Sequence, residues 1–167
     1  MGDTQKNLQE AFAGESQANR RYLFFANKAE KEGHPQIARL FRAAAKAETV
    51  HAYNHLRTMG SIKSTKENLE AAISGEHYEF TQMYPGFIEQ AKAENNKPAE
   101  SGFTWANKVE EVHHDLYQSA LKALDAGQSL KDEPYFVCGV CGFTVGGEAP
   151  ENCPVCGAPT SRFTRVD

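Results

Sequence analysis

Glu48-Thr49-Val50-His51 and Glu110-Glu111-Val112-His113 are the two stretches on which the fold turns. Each lies in a long run whose apolar residues recur every three to four positions. In a helix, residues three apart share a face. Each stretch therefore points a carboxylate and an imidazole the same way, into a stripe that is otherwise apolar. A lone Glu-x-x-His is usually just a solvated helix face. Here it recurs, and each copy has a glutamate at a matching distance upstream. Glu15 precedes Glu48 by 33 residues and Glu76 precedes Glu110 by 34. The chain is thus an internal repeat: one glutamate on a first helix, then Glu-x-x-His on a second. Glu79 breaks the symmetry, because Ala18 stands at its place in the first half.

Working outward, four amphipathic stretches follow. The first runs from Thr4, which can cap it, to Lys31, with Gly33 beyond its end. Leu8, Phe12, Glu15 and Tyr22 recur along it at helical spacing. The second opens at Pro35 and stops near Gly60. Ser64 and Glu67 form a capping box for the third, which reaches about Asn95 with possible interruptions at Gly75 and Pro85-Gly86. The fourth opens at Pro98 and closes at Gly127. Four such helices joined by short connections are the pattern of a four-helix bundle. Beyond Glu133 the helical period is lost and Gly, Pro and Cys take over. The expected division is therefore a bundle over residues 1–132 and a small domain over 133–167.

Composition narrows the function. The net charge is −4 with the signs interspersed, so neither nucleic acid nor a membrane surface is an expected partner. No apolar run is long enough to span a bilayer. The first residues lack both the apolar core of a signal peptide and a myristoylation pattern, so the expected location is the cytoplasm.

A glutamate from each of two helices plus Glu-x-x-His from each of two others is a ligand set for two metals in a bundle core. Glu48 and Glu110 have two oxygens each and suit bridging. Glu15 and Glu76 would each cap one metal, and His51 and His113 supply one imidazole apiece. Iron and manganese accept such mixed donors. Buried carboxylates without cations are costly, which favours metal over a bare polar face. His34, His55, His77 and His114 are expected in surface or satisfied-core roles. Tyr22, Tyr84 and Tyr117 fall near the glutamates and histidines. Their hydroxyls could support a bound carboxylate or peroxide, and core filling is an equally good account of them.

All four cysteines lie in the last 30 residues, as Cys138-x-x-Cys141 and Cys153-x-x-Cys156 with 11 residues between the pairs. In a reducing compartment this spacing means a tetrahedral four-thiolate metal site rather than disulfides. Zinc and iron both fit that geometry. The aromatic residues around the first knuckle and the Cys-Pro-Val-Cys-Gly of the second favour iron, with zinc a possible substitute. Metal would also hold together a domain too small to fold by its core alone.

These residues resemble the rubrerythrin family over nearly the whole chain. Ala11-Phe-Ala-Gly-Glu15-Ser-Gln-Ala18, Glu48-x-x-His51, Glu76-x-x-Glu79, Glu110-x-x-His113 and the two cysteine knuckles occur in family order. The resemblance implies a ferritin-like diiron bundle followed by a rubredoxin-like domain. It implies a hydrogen peroxide reductase taking electrons from NAD(P)H through a separate reductase or a rubredoxin. Electrons would pass through the four-cysteine iron to the diiron centre. Glu79 would be the extra ligand, exchanging with His51 as the oxidation state changes, and these two would be the catalytic residues. A ferritin-type ferroxidase is the alternative; Glu79 and the electron-feeding domain argue against it.

Lengths suggest an assembly. Helix four continues about 20 Å past His113, and a linker of about eight residues spans less than ~28 Å. The chain's own four-cysteine site is therefore expected well away from its own diiron site. A head-to-tail homodimer, with one subunit's rubredoxin-like domain near the partner's diiron site, follows as the expected state.

Overall fold

The computed structural model describes residues 2–167. The elements are α1 (Asp3–Lys31), α2 (Pro35–Thr58), α3 (Thr65–Tyr78), a π-helical turn (Glu79–Met83), α4 (Tyr84–Ala93) and α5 (Lys97–Asp125), followed by three short strands, β1 (Tyr135–Cys138), β2 (Thr144–Gly146) and β3 (Phe163–Val166). The fold is mainly helical with a small C-terminal sheet, as expected. Among the described residues, no helix is long and apolar enough to cross a membrane.

The ends of the elements follow local chemistry. Ser64 and Glu67 form the expected capping box, side chain to backbone in both directions. Asn96 accepts a hydrogen bond from the Ala99 N–H and caps α5, with Pro98 in the first turn. Thr4 does not cap α1. The helix begins at Asp3, and Gly2 is its N-cap, with its carbonyl accepting from the Gln5 N–H. The third stretch is continuous in space but changes pitch. Pro85 lacks an N–H to donate four residues back, and the chain absorbs this by one π turn in which the Tyr84 N–H donates to the Glu79 carbonyl.

The chain divides into two compact units, one ending at Lys63 and one running from Ser64 to Asp167. The first is the α1–α2 hairpin. Its seam is built of small residues, Ala18, Ala26, Ala29, Ala38 and Ala45, which let the two backbones approach closely. Asn19 crosses the seam, donating to the Ala45 carbonyl at 2.7 Å and to the Thr49 hydroxyl at 2.8 Å. Large apolar side chains stay outside this seam: Phe24 is 68% exposed and Leu40 is 70% exposed.

In the second unit α5 is the spine against which α3, the π turn and α4 pack. The strands form an antiparallel sheet in the order β2-β1-β3. After α5 the chain turns back: the Gly127 N–H donates to the Leu124 carbonyl and the Gln128 N–H to that of Ala123. The return places β2 against α5, and a Cβ on Gly142 would meet the Val109 side chain at 3.7 Å. This corrects the expected separation. The chain's own four-cysteine domain lies beside its own α5, because the linker doubles back instead of extending.

Candidate metal centres

Three groups of side chains converge, each with its ligand atoms within 4.8 Å of one another: Glu15, Glu48 and His51; Glu76, Glu110 and His113; and the four cysteines. The first two are the halves of the repeat, one in each compact unit.

In the hairpin, His51 Nδ1 lies 2.9 Å from Glu48 Oε2 and 3.8 Å from Glu15 Oε1. One helical turn sets the first contact, and the α1–α2 seam sets the second. Tyr22 lies in an aromatic cluster, its ring centre 6.1 Å from that of Phe41 and 6.3 Å from that of Phe25.

The second cluster is more buried and electrostatically stressed. His113 Nδ1 lies 2.8 Å from Glu110 Oε2. That hydrogen bond, against the opposing effect of burial, holds the His113 imidazolium form to higher pH than usual. Burial raises the carboxyl of Glu76, and the Glu110 charge beside it adds to the rise. Burial and Glu110 raise Glu79 in the same way. These carboxylates repel one another without a cation between them, which is the state a divalent metal would relieve. Glu79 lies outside the three-ligand cluster but feels the charges of both Glu110 and His113.

The π turn matters here. Residues five apart do not share a face of an α-helix, but one π turn closes in five residues. Glu79 and Tyr84 are the ends of that turn. Tyr84 accordingly keeps its proton to higher pH, through burial and through the charges of Glu110, Glu79 and Glu76. His77 and His114 pack around Phe80 with ring centres 5.4–5.7 Å apart, and His114 is buried.

One participant had no sequence signal. His113 Nε2 lies 3.1 Å from the Thr144 hydroxyl, which donates to the Gly142 carbonyl at 3.0 Å. Thr144 is three residues past Cys141, and nothing in its local pattern marks it. The contact exists only because β2 folds back onto α5. It orients the imidazole so that Nδ1 faces the glutamates, the arrangement in which a metal can take Nδ1 while Nε2–H keeps its donor role.

The four thiols are free, with Cys138 and Cys156 sulfurs 3.7 Å apart and those of Cys141 and Cys153 3.5 Å apart. A tetrahedral ion with metal–sulfur bonds of about 2.3 Å needs sulfur separations near ~3.8 Å, so the cradle fits one. Each knuckle ends in a left-handed glycine. The Gly142 N–H donates to the Cys138 carbonyl and the Gly157 N–H to the Cys153 carbonyl, both at 2.9 Å. Burial pushes the Cys138 thiol up, but the backbone N–H groups of Cys141 and Val140 and the neighbouring thiols outweigh it and bring it down to about 7. Such N–H donors stabilise thiolate, the form that binds metal.

The helical part matches the family model Rubrerythrin over residues 6–121, and the C-terminal part matches the rubrerythrin rubredoxin-like domain over residues 136–164. The chain is 38% identical to a rubrerythrin of Porphyromonas gingivalis, covering 96% of this chain and 88% of that one. It is 35% identical to rubrerythrin-2 of Clostridium acetobutylicum, covering 93% and 92%. A solved structure of fully reduced, all-ferrous nigerythrin is similar at 36% identity and a TM-score of 0.59, covering 99% of this chain and 88% of that one. These likenesses and the donor sets make iron the metal. With both parts matched by family models and relatives aligned along almost its full length, this chain belongs to the rubrerythrin family.

Proposed function

We propose that this protein is a non-haem diiron peroxidase that reduces hydrogen peroxide to water. Residues 1–132 would carry the diiron chemistry, and residues 133–167 the electron entry. The observation that carries the reading is the pair of matching Glu/Glu-x-x-His clusters, with the unpaired Glu79 beside one of them. With iron bound, the diiron centre supplies the two electrons that, with two protons, convert peroxide to two waters, and the four-cysteine iron returns them singly.

The chain's own groups provide the rest. Glu15, Glu48, His51, Glu76, Glu110 and His113 hold the metals, and Cys138, Cys141, Cys153 and Cys156 hold the third iron. Glu79 would be an additional carboxylate ligand, with His51 as the neutral alternative to it when the metal charge is lower. Its burial beside Glu110 makes it a poor free anion, so it gains by binding a metal when positive charge is highest. Tyr84 keeps its hydroxyl protonated and can donate to an oxygen of peroxide or of Glu79. The contact from His113 through Thr144 to Gly142, next to Cys141, supports electron entry from the four-cysteine site. The electrons would come from NAD(P)H through a separate reductase or a rubredoxin.

Stopped-flow mixing of the reduced protein with peroxide and with dioxygen tests this. Oxidation by peroxide should be much the faster. A faster reaction with dioxygen would sink the peroxidase and favour a ferritin-type ferroxidase.

A further inference from the structure

A cavity of about 390 Å³ lies between α3, α5, the returning linker and the sheet, wholly within the second compact unit. Its volume is that of a small-molecule site. Leu69, Leu116, Ala120 and Leu130 make its apolar walls, and His113, Tyr117, Tyr135 and Thr144 supply its polar atoms. A trough of about 450 Å³ continues from it, sharing Leu69, Ala120 and Leu130 and reaching Leu124 and Gln128. Along α5 the lining runs from His113 to Leu124, roughly 16 Å at the helical rise. Leu130 is 50% exposed and Tyr117 38% exposed, so the mouth of the cavity lies beside them.

The lining restricts the ligand. Among the described residues, no lysine, arginine, aspartate or glutamate borders the cavity or the trough. A nicotinamide or flavin nucleotide, whose phosphates call for cationic partners, does not suit it; a neutral molecule does. The hydroxyls of Tyr117 and Tyr135 have no hydrogen-bond partner among the described residues. Thr144 Oγ1 accepts from His113 Nε2–H and donates to the Gly142 carbonyl, which leaves it one lone pair. The cavity therefore suits a neutral, apolar body carrying hydroxyl or carbonyl oxygens. Position decides what such a molecule can do. His113 turns Nδ1 to the glutamates and Nε2 to Thr144 at the cavity wall. A ligand there lies behind the imidazole, off the side that a metal would take. It is badly placed to be the peroxide, which must reach the metals. It is well placed to pass electrons through the imidazole edge.

We propose that this cavity binds a neutral hydroquinone and is a second electron entry that bypasses the four-cysteine iron. The ring lies among Leu69, Leu116 and Ala120, its oxygens meet Tyr117, Tyr135 and Thr144, and an alkyl substituent extends along the trough. The electron role rests on the peroxidase reading above; the binding site does not. The reaction balances without a further reagent. Hydroquinone and hydrogen peroxide give quinone and two waters. Both O–H bonds of the hydroquinone break, its two electrons cleave the O–O bond of peroxide, and its two protons complete the waters.

Equilibrium dialysis under nitrogen tests this, with the full-length, iron-loaded chain and tetramethylhydroquinone (duroquinol), whose fully methylated ring resists addition of thiols. The wild type should bind it saturably, one molecule per chain. Ala120→Phe fills the cavity and should weaken binding about tenfold or more. Tyr117→Phe with Tyr135→Phe keeps both rings, removes both hydroxyls and should weaken it about fivefold; this variant decides the matter if Ala120→Phe does not fold. With peroxide added, the wild type should form one duroquinone per peroxide consumed. Ala120→Phe should lose that turnover, while its dithionite-reduced form is still oxidised by peroxide at the wild-type rate. Absence of saturable binding to the wild type, or unchanged binding in both variants, would overturn the site. If duroquinol binds in the cavity but is not oxidised, while dithionite-reduced protein consumes peroxide, the electron entry falls. If duroquinol binds there and the dithionite-reduced wild type ignores peroxide, the peroxidase reading falls and the binding site stands. If reduced protein consumes peroxide and duroquinol does not bind, only the present proposal falls.

Discussion

At the scale of single residues, the repeat and its one exception carry the chemistry. Glu79 has no counterpart in the first half, yet lies in the field of Glu110 and His113. Glu79→Ala should lower peroxide turnover at least tenfold, roughly the loss of 1.4 kcal/mol or more of transition-state stabilisation. The absorption spectrum of the four-cysteine iron should stay intact; unchanged turnover would count against ligand exchange. A second prediction follows from the titrating groups. In the metal-free protein Glu76, Glu79 and His113 all have raised pKa values, from ordinary values of 4.5 and 6.5. A raised value in the folded state favours folding below the unfolded value, and that advantage fades as pH rises through the folded value. The metal-free protein should therefore lose thermal stability as pH rises above the ordinary values of 4.5 for the two carboxyls and 6.5 for the imidazole. The iron-loaded protein, its ligands already deprotonated, should change much less. Melting curves by far-UV circular dichroism at several pH values check this, and a metal-free Tm that rises with pH would contradict it. Glu48 and Glu110 were legible in the sequence because helical spacing alone aligns them with their histidines, and Glu15 and Glu76 because the internal repeat places each at a matching distance upstream. Thr144 was not, because its partner His113 is 31 residues away and only the returning chain brings them together.

At the scale of elements, the helix limits follow caps and prolines, and the departures have causes. The capping box at Ser64 and the proline at the start of α2 are local chemistry, readable from a few residues. Ser64→Ala should destabilise the second unit by about 1 kcal/mol, measured by denaturant unfolding, with iron content unchanged. The π turn was not readable. Pro85 signals an irregularity, but whether the chain kinks, breaks or inserts a residue depends on how α3 and α4 pack along α5. The outcome brings Tyr84 toward the face that carries Glu79. Deleting Thr81 should restore an α turn, rotate Tyr84 and the rest of α4 away, and reduce peroxide turnover more than Tyr84→Phe does. Equal effects of the two changes would show that the π turn matters only for its hydroxyl.

At the scale of the whole molecule, the four-cysteine domain is held by its metal and by its seat on α5. Its sheet has three strands of three or four residues, far too little to fold by burial alone. Stripping its metal with a thiol-reactive mercurial should expose residues 133–167 to protease while α1–α5 remain resistant. Limited proteolysis read by mass spectrometry checks this; an equally resistant tail would mean that the seat on α5 suffices.

The sequence by itself determined the donors. Helical period and the spacing of cysteine knuckles are short-range, so which side chains share a face or a cradle is written into neighbouring residues. It also determined the family and the mainly helical architecture. Only the tertiary structure decided where the four-cysteine domain sits. The nine residues between Asp125 and Tyr135 permit either an extended path or a return, and the packing of β2 on α5 chose the return. The division at Lys63 into two units, each with half of the ligands, was likewise a matter of long-range packing.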